Sequence, residues 1–143
     1  MPIFSFSRRP AGLQWRWLPP LERELKRRFH LSGHISVALV SRSVIRRLNA
    51  RYRGRDIATD VLSFSLKTPR TKLPKGSDWG ELIICWPILK AQAAAHGQSL
   101  ADELQLLLIH GTLHLLGHDH QRPLERRRFD RLERQVIDRL TVV

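Results

Sequence analysis

LADELQLLLIHGTLHLLGHDH, residues 100–120, is the stretch around which the rest of the chain has to be arranged. Leu104, Leu106, Leu107, Leu108, Ile109, Leu113 and Leu116 recur around nearly the whole helical circumference, and a helix that is apolar on all sides must be packed on several of them. Ser99 supplies an N-cap, and Gly117 lets the chain leave the helix at its other end. His110 and His114, four residues apart, then project from one face of a central helix.

With His120 the imidazoles fall at H-x3-H-x5-H, and the glycine at Gly117 completes the offsets of the metzincin zinc signature H-E-x-x-H-x-x-G-x-x-H. Gly111 stands where those proteases carry their catalytic glutamate. The competing reading makes the histidines core residues bonded to backbone, but buried imidazoles without partners are costly, and a cation relieves that cost. The expectation is one zinc ion held by His110, His114 and His120. Three neutral imidazoles leave a fourth position open, where a cation brings the pKa of water to about 7. A structural zinc would close that position; Cys85 is far away in sequence, whereas His118 and Asp119 are near. Asp119 reads as an outer acceptor that orients an imidazole, with direct ligation or a general-base role left open. His118 reads as packing or facing the groove.

Outward from this helix, hydrophobic periodicity gives strands at about Ile3–Ser7, Ile35–Val40, Val61–Leu66 and Leu82–Trp86. It gives helices from Leu21 to Phe29, from the Ser41 cap to Gly54, from Pro87 to Ala95, and from about Pro123 to Leu140. In the second of these, Val44, Ile45, Leu48 and Tyr52 form the inner side; in the last, Phe129, Leu132, Val136 and Leu140 form an apolar stripe. The expected fold is α+β, a single domain over 1–143 with about four strands in a mixed sheet and about five helices, the zinc site lying on the central helix and the loop after it.

Lysine and arginine total 25 against 13 aspartate and glutamate, a net charge of +12. An excess of that size points to a polyanionic partner, and nucleic acid is favoured over a membrane because the basic residues recur in several segments. Arg42, Arg46, Arg47, Arg51, Arg53 and Arg55 form one; Lys67, Arg70, Lys72 and Lys75, among prolines, read as a mobile basic loop. Arg126 to Arg128, Arg131 and Arg134 read as a solvated helix face, with Asp130 four residues from Arg126 and from Arg134. The only cysteine is Cys85, so no internal disulfide can form, and no secretory segment or apolar run of the ~20 residues needed to span a bilayer is visible. The expectation is a soluble, cytoplasmic protein.

Peptide hydrolysis needs a base beside the metal, which Gly111 does not provide. Phosphodiester cleavage can instead rest on a metal and a guanidinium that stabilise charge on phosphoryl oxygens. Arg53, at the expected helix end before Gly54, is the candidate; on composition alone it would be an ordinary surface arginine.

These residues resemble the YbeY family of bacterial metallo-endoribonucleases. His110 to His120 is similar to the family's HGxLHLxGYDH, the segment from Leu48 through Arg53, Asp56 and Asp60 to Phe64 to its LNxxYRGxDxPTDVLSFP, and Gly80 to Ile84 to its GDIVI strand. The resemblance runs from about Ile35 to the end. It implies zinc at His110, His114 and His120, a functional Arg53, and a cytoplasmic single-strand-specific endoribonuclease that matures small-subunit ribosomal RNA at its 3′ end and serves ribosome quality control. Implied partners are single-stranded ribosomal RNA in the small ribosomal subunit and, beside it, ribosomal proteins or an assembly GTPase. Ala58 and Ser65 replace family prolines, Glu81 an aspartate and His118 a tyrosine.

Overall fold

In the computed structural model, which describes residues 2–31, 33–65, 78–118 and 122–141, strands β1 (Phe4–Phe6), β2 (His34–Val40), β3 (Val61–Ser65) and β4 (Asp78–Cys85) form one sheet in the order β1-β2-β4-β3. β1, β2 and β4 run parallel, and β3 is antiparallel to β4, so the sheet is mixed. The helices are α1 (Leu18–Phe29), α2 (Arg42–Arg53), α3 (Trp86–Ala95), α4 (Leu100–Leu115) and α5 (Pro123–Thr141). This is the expected α+β fold.

The sheet is covered on both faces. Ile35 and Val37 of β2 and Leu82 and Ile84 of β4 join Leu21 and Leu25 of α1, Leu104, Leu108 and Leu113 of α4, and Phe129 and Val136 of α5 in the main core. Ile83 and Cys85 point the other way and pack with Ile45 of α2 and Leu62 of β3. Covering both sides is why Leu82 to Cys85 is continuously apolar instead of alternating.

Local signals account for the boundaries. The Ser41 hydroxyl accepts from the Val44 amide at 3.3 Å and the Ser99 hydroxyl from the Asp102 amide at 3.1 Å, capping α2 and α4. Gly54, at φ 69°, closes α2 in a left-handed turn. Three expectations are corrected. α1 begins at Leu18, with Pro19 and Pro20 inside its first turn, where a missing N–H costs nothing. β4 begins at Asp78, before the apolar run, because its partner β2 carries the ladder that far. Tyr52 does not belong to the inner side of α2: it is 53% exposed and set edge-on to Phe64 at 5.5 Å. The basic loop with Lys67, Arg70, Lys72 and Lys75 lies outside the described residues.

α4 approaches the sheet unusually closely at two glycines. A Cβ at Gly111 would stand 2.7 Å from Cδ2 of Leu82, and one at Gly80 would stand 2.6 Å from Cδ1 of Leu115. The glycines face leucine side chains across the helix–sheet boundary, so neither position can carry a side chain without repacking.

Candidate active site

His110 and His114 occupy the last two turns of α4, where one face of the helix looks out past the edge strand β3. Both are partly exposed, and their Nε2 atoms lie 3.2 Å apart. Two imidazole nitrogens each about 2.0–2.1 Å from a tetrahedral zinc ion stand roughly 3.3–3.4 Å apart. The pair therefore fits shared ligation with little movement; the same separation also serves an N–H···N hydrogen bond between neutral rings. Phe129 of α5 packs on both imidazoles, with centroids 4.7 Å from His110 and 5.0 Å from His114. Gly117, at φ 92°, then turns the chain away from the helix, with the His118 amide donating to the Leu113 carbonyl at 3.0 Å. His120 and Asp119 follow outside the described residues, and among the described residues no group of three histidine, cysteine or acidic side chains surrounds a metal position.

The acidic partner of the histidines that is described comes from another element. His110 Nδ1 is 3.3 Å from Oε2 of Glu133 on α5, one helical turn beyond Phe129. A carboxylate accepts from the ring N–H, which leaves the Nε2 lone pair directed toward His114. Sequence reading missed Glu133; the available signal was its spacing of four from Phe129 on the inward side of α5.

Arg53 is brought to the same place. Its Nη2 donates to the Ser63 carbonyl of β3 at 2.7 Å, and its guanidinium lies over the Phe64 ring at 5.2 Å. A cleft lined by Asn49, Arg53, Arg55, Thr59, Asp60, Ser63, His110 and His114 joins the end of α2, the loop after it, the edge strand and the end of α4, with a volume of about 770 Å³. The buried Asn49 side chain donates to the Ile57 carbonyl at 2.8 Å, fixing that loop. Asp60, which the sequence marks only as part of the family-like segment and gives no role, accepts from the Val61 amide at 2.9 Å, while its Oδ2 is 3.4 Å from Nε2 of Gln92 on α3. Arg46 forms a forked pair with Asp56, 2.8 and 3.2 Å. That pair holds the Asp56 carboxyl below its ordinary pKa, first through the hydrogen bond and then through the opposite charge.

Taken together, the cleft brings a convergent imidazole pair under a carboxylate-oriented ring and a clamped guanidinium to one basic, solvent-open depression. Comparison with known proteins shows the family. The chain matches the profile of the family described as Endoribonuclease YbeY over residues 17–141. It is similar to the endoribonuclease YbeY of Myxococcus xanthus, 45% identical over 112 residues that cover 75% of this chain and 37% of that protein. It is similar also to that of Halorhodospira halophila, 36% identical over 127 residues covering 88% and 80%, and to that of Xanthomonas axonopodis, 46% identical over 93 residues covering 63% and 57%. The chain thus spans well under two thirds of the Myxococcus protein and most of the Halorhodospira one. Its fold resembles the solution structure of a Thermotoga maritima protein with a TM-score of 0.63 and 26% identity, covering 96% of this chain and 89% of that one. The chain belongs to the YbeY endoribonuclease family.

Proposed function

We propose that the protein is a zinc-dependent, single-strand-specific endoribonuclease that matures small-subunit ribosomal RNA at its 3′ end and takes part in ribosome quality control in the cytoplasm. The small ribosomal subunit, with its proteins or an assembly GTPase, is its partner in this reading. The observation that carries the proposal is the meeting of His110, His114 and Arg53 in one cleft, although the sequence separates Arg53 from the histidines by more than fifty residues. His110 and His114, with His120, would hold one zinc ion. When bound, it would supply Lewis-acid activation of water and of the scissile phosphate.

The chain's own groups do the rest. Arg53, tethered to the Ser63 carbonyl and stacked over Phe64, keeps further N–H groups for a phosphate and so fixes the RNA backbone beside the histidines. Glu133 fixes the orientation of the His110 ring. Asp119 is placed by sequence next to His120, where it would orient that imidazole or take a proton from the attacking hydroxyl. The packing at Gly111 leaves no room for the base that metallopeptidases of this signature carry at this position, since it would have to enter the space filled by Leu82, so a peptidase would have to recruit its base from elsewhere.

The test combines metal analysis with cleavage of a single-stranded ribosomal RNA fragment. Zinc near one equivalent is expected, with cutting abolished in a folded His114→Ala variant and reduced far more than RNA binding in Arg53→Ala. Cutting that survives His114→Ala removes the enzymatic reading. Equal losses of binding and cutting in Arg53→Ala leave an RNA-binding ribosome assembly factor with a mainly structural zinc. Cleavage of peptides with no effect on RNA reinstates the peptidase.

A further inference from the structure

A second opening lies at the carboxyl ends of the parallel strands and shares no described residue with the histidine cleft. It exists because of how the chain leaves two adjacent strands. β1 and β2 are parallel neighbours, yet the helix after β1 packs on the main core, through Leu18, Leu21 and Leu25, while the helix after β2 packs on the opposite face through Ile45. Loops that part to opposite faces from neighbouring strand ends leave a crevice between them, the position where open α/β sheets bind ligands.

The crevice is lined by Arg8, Arg9, Pro10 and Ala11 after β1, by Leu39, Val40 and Ser41 at the end of β2, and by Trp86 and Pro87 after β4. Its volume is about 450 Å³, inside the ~300–1,000 Å³ range of small-molecule sites. Among the described residues no acidic one lines it, and no carboxylate forms an ion pair with Arg8 or Arg9. Arg9 is held in place by aromatic rings: its guanidinium lies 4.6 Å from the centroid of Trp15 and 5.7 Å from that of Phe6, and those two rings meet edge-on at 4.9 Å. A guanidinium stacked by its face keeps its N–H edge for an anion. The remaining wall is a half-buried indole with two prolines, an alanine, a leucine and a valine, and Ser41 is its one uncharged polar residue among those described.

Two guanidiniums without a counter-charge beside an indole and an apolar wall suit a ligand that joins an anionic group to a planar ring. We propose that this crevice binds a nucleotide, with its phosphate on Arg8 and Arg9 and its base against Trp86. Arg8, Arg9 and Trp15 precede the segment that matches the family profile, whereas Trp86 and the strand-end wall lie within it. The ligand is either a free mononucleotide or one unit of an RNA strand, since both present the same phosphate and base.

The experiment titrates adenosine monophosphate, adenosine and inorganic phosphate into the metal-free full-length chain, following binding by calorimetry and the indole and arginine side-chain resonances by NMR. The monophosphate should bind saturably, and adenosine or phosphate alone at least about tenfold more weakly, since each lacks one half of the interaction. An Arg8→Ala/Arg9→Ala double variant, changed only at exposed positions, should retain its melting temperature and lose at least about tenfold in affinity for the monophosphate. Trp86→Phe should retain binding of the monophosphate, and Trp86→Leu, if folded, should weaken the monophosphate while leaving phosphate unchanged. A five-nucleotide single-stranded RNA that binds about tenfold more tightly than the monophosphate, with the same dependence on Arg8 and Arg9, makes the occupant a strand. Equal affinities make it the free nucleotide. No saturable binding of the monophosphate at millimolar concentration, or binding indifferent to Arg8→Ala/Arg9→Ala, overturns the proposal. His114→Ala should leave monophosphate binding unchanged, so failure here is distinct from failure of the cleavage reading.

Discussion

A side chain at position 111 has to enter space that Leu82 fills, and Leu82 is itself fully buried, so it has no solvent-facing rotamer to retreat into. Gly111→Ala therefore opposes two effects: better helix propensity, worth about 1 kcal/mol in its favour, and overpacking of a tight helix–sheet contact, costing about 1–3 kcal/mol. The contact at 2.7 Å places it at the upper end of that range. A net loss of stability of about 1–2 kcal/mol is expected, measured by denaturant unfolding; a stabilised variant would mean that α4 slides freely on β4. At the same scale, Glu133→Gln leaves a neutral acceptor beside His110 and removes the charge that favours its ring N–H. Zinc affinity should fall about 10–100-fold with little change in melting of the metal-free chain, read by competition with a chromophoric chelator. Unchanged affinity would make Glu133 a packing residue only. His110 and His114 were legible in the sequence because a spacing of four on a helix is itself a distance; Glu133 was not, since its approach to His110 depends on how α5 docks against α4.

At the scale of elements, the same division between local and long-range causes holds. The caps Ser41 and Ser99, the exits at Gly54 and Gly117, and the stripe Phe129, Val136 and Leu140 act within a few residues, and each appears where the sequence placed it. The strand order, the parallel pairing of β1 with β2, and the far beginning of β4 come from contacts across the chain that periodicity does not encode. β1 is the clearest case. Three residues long and at the sheet edge, it is fastened by Glu22 of α1, a buried carboxylate that accepts from the Ile3 and Phe4 amides at 2.6 and 3.0 Å. Glu22→Ala leaves those amides without that acceptor, at roughly 1–3 kcal/mol per buried donor left unmet. The variant should unfold at lower denaturant, and hydrogen exchange at Ile3 and Phe4 should accelerate more than in β2. Uniform acceleration across the sheet would show that Glu22 supports the whole core rather than its edge strand.

For the whole molecule, a net charge of +12 matters through where it is exposed. Arg42, Arg46 and Arg47 of α2 line a basic depression with Asp56, Ile57 and Ala58, and the last two residues also line the histidine cleft, so the depressions form one continuous surface. Among the described residues Asp56 is the one carboxylate lining the outer depression, and its fork to Arg46 occupies a guanidinium that would otherwise face RNA. Because the pair depresses the Asp56 pKa, its contribution is complete above the ordinary carboxylate range and is lost only as pH falls through the lowered value; across neutral pH the fork stays closed. Asp56→Asn should release Arg46, tighten single-stranded RNA binding, and steepen the dependence of log affinity on log salt by about 0.7 for one added phosphate contact. The difference from the unmodified chain should be constant across neutral pH, since the only titrating group removed is already ionised there. Filter binding at several salt concentrations reads both quantities. An unchanged salt slope would mean that the RNA leaves the cleft by another route than along α2, and that the arginines of that helix serve solubility instead of the substrate.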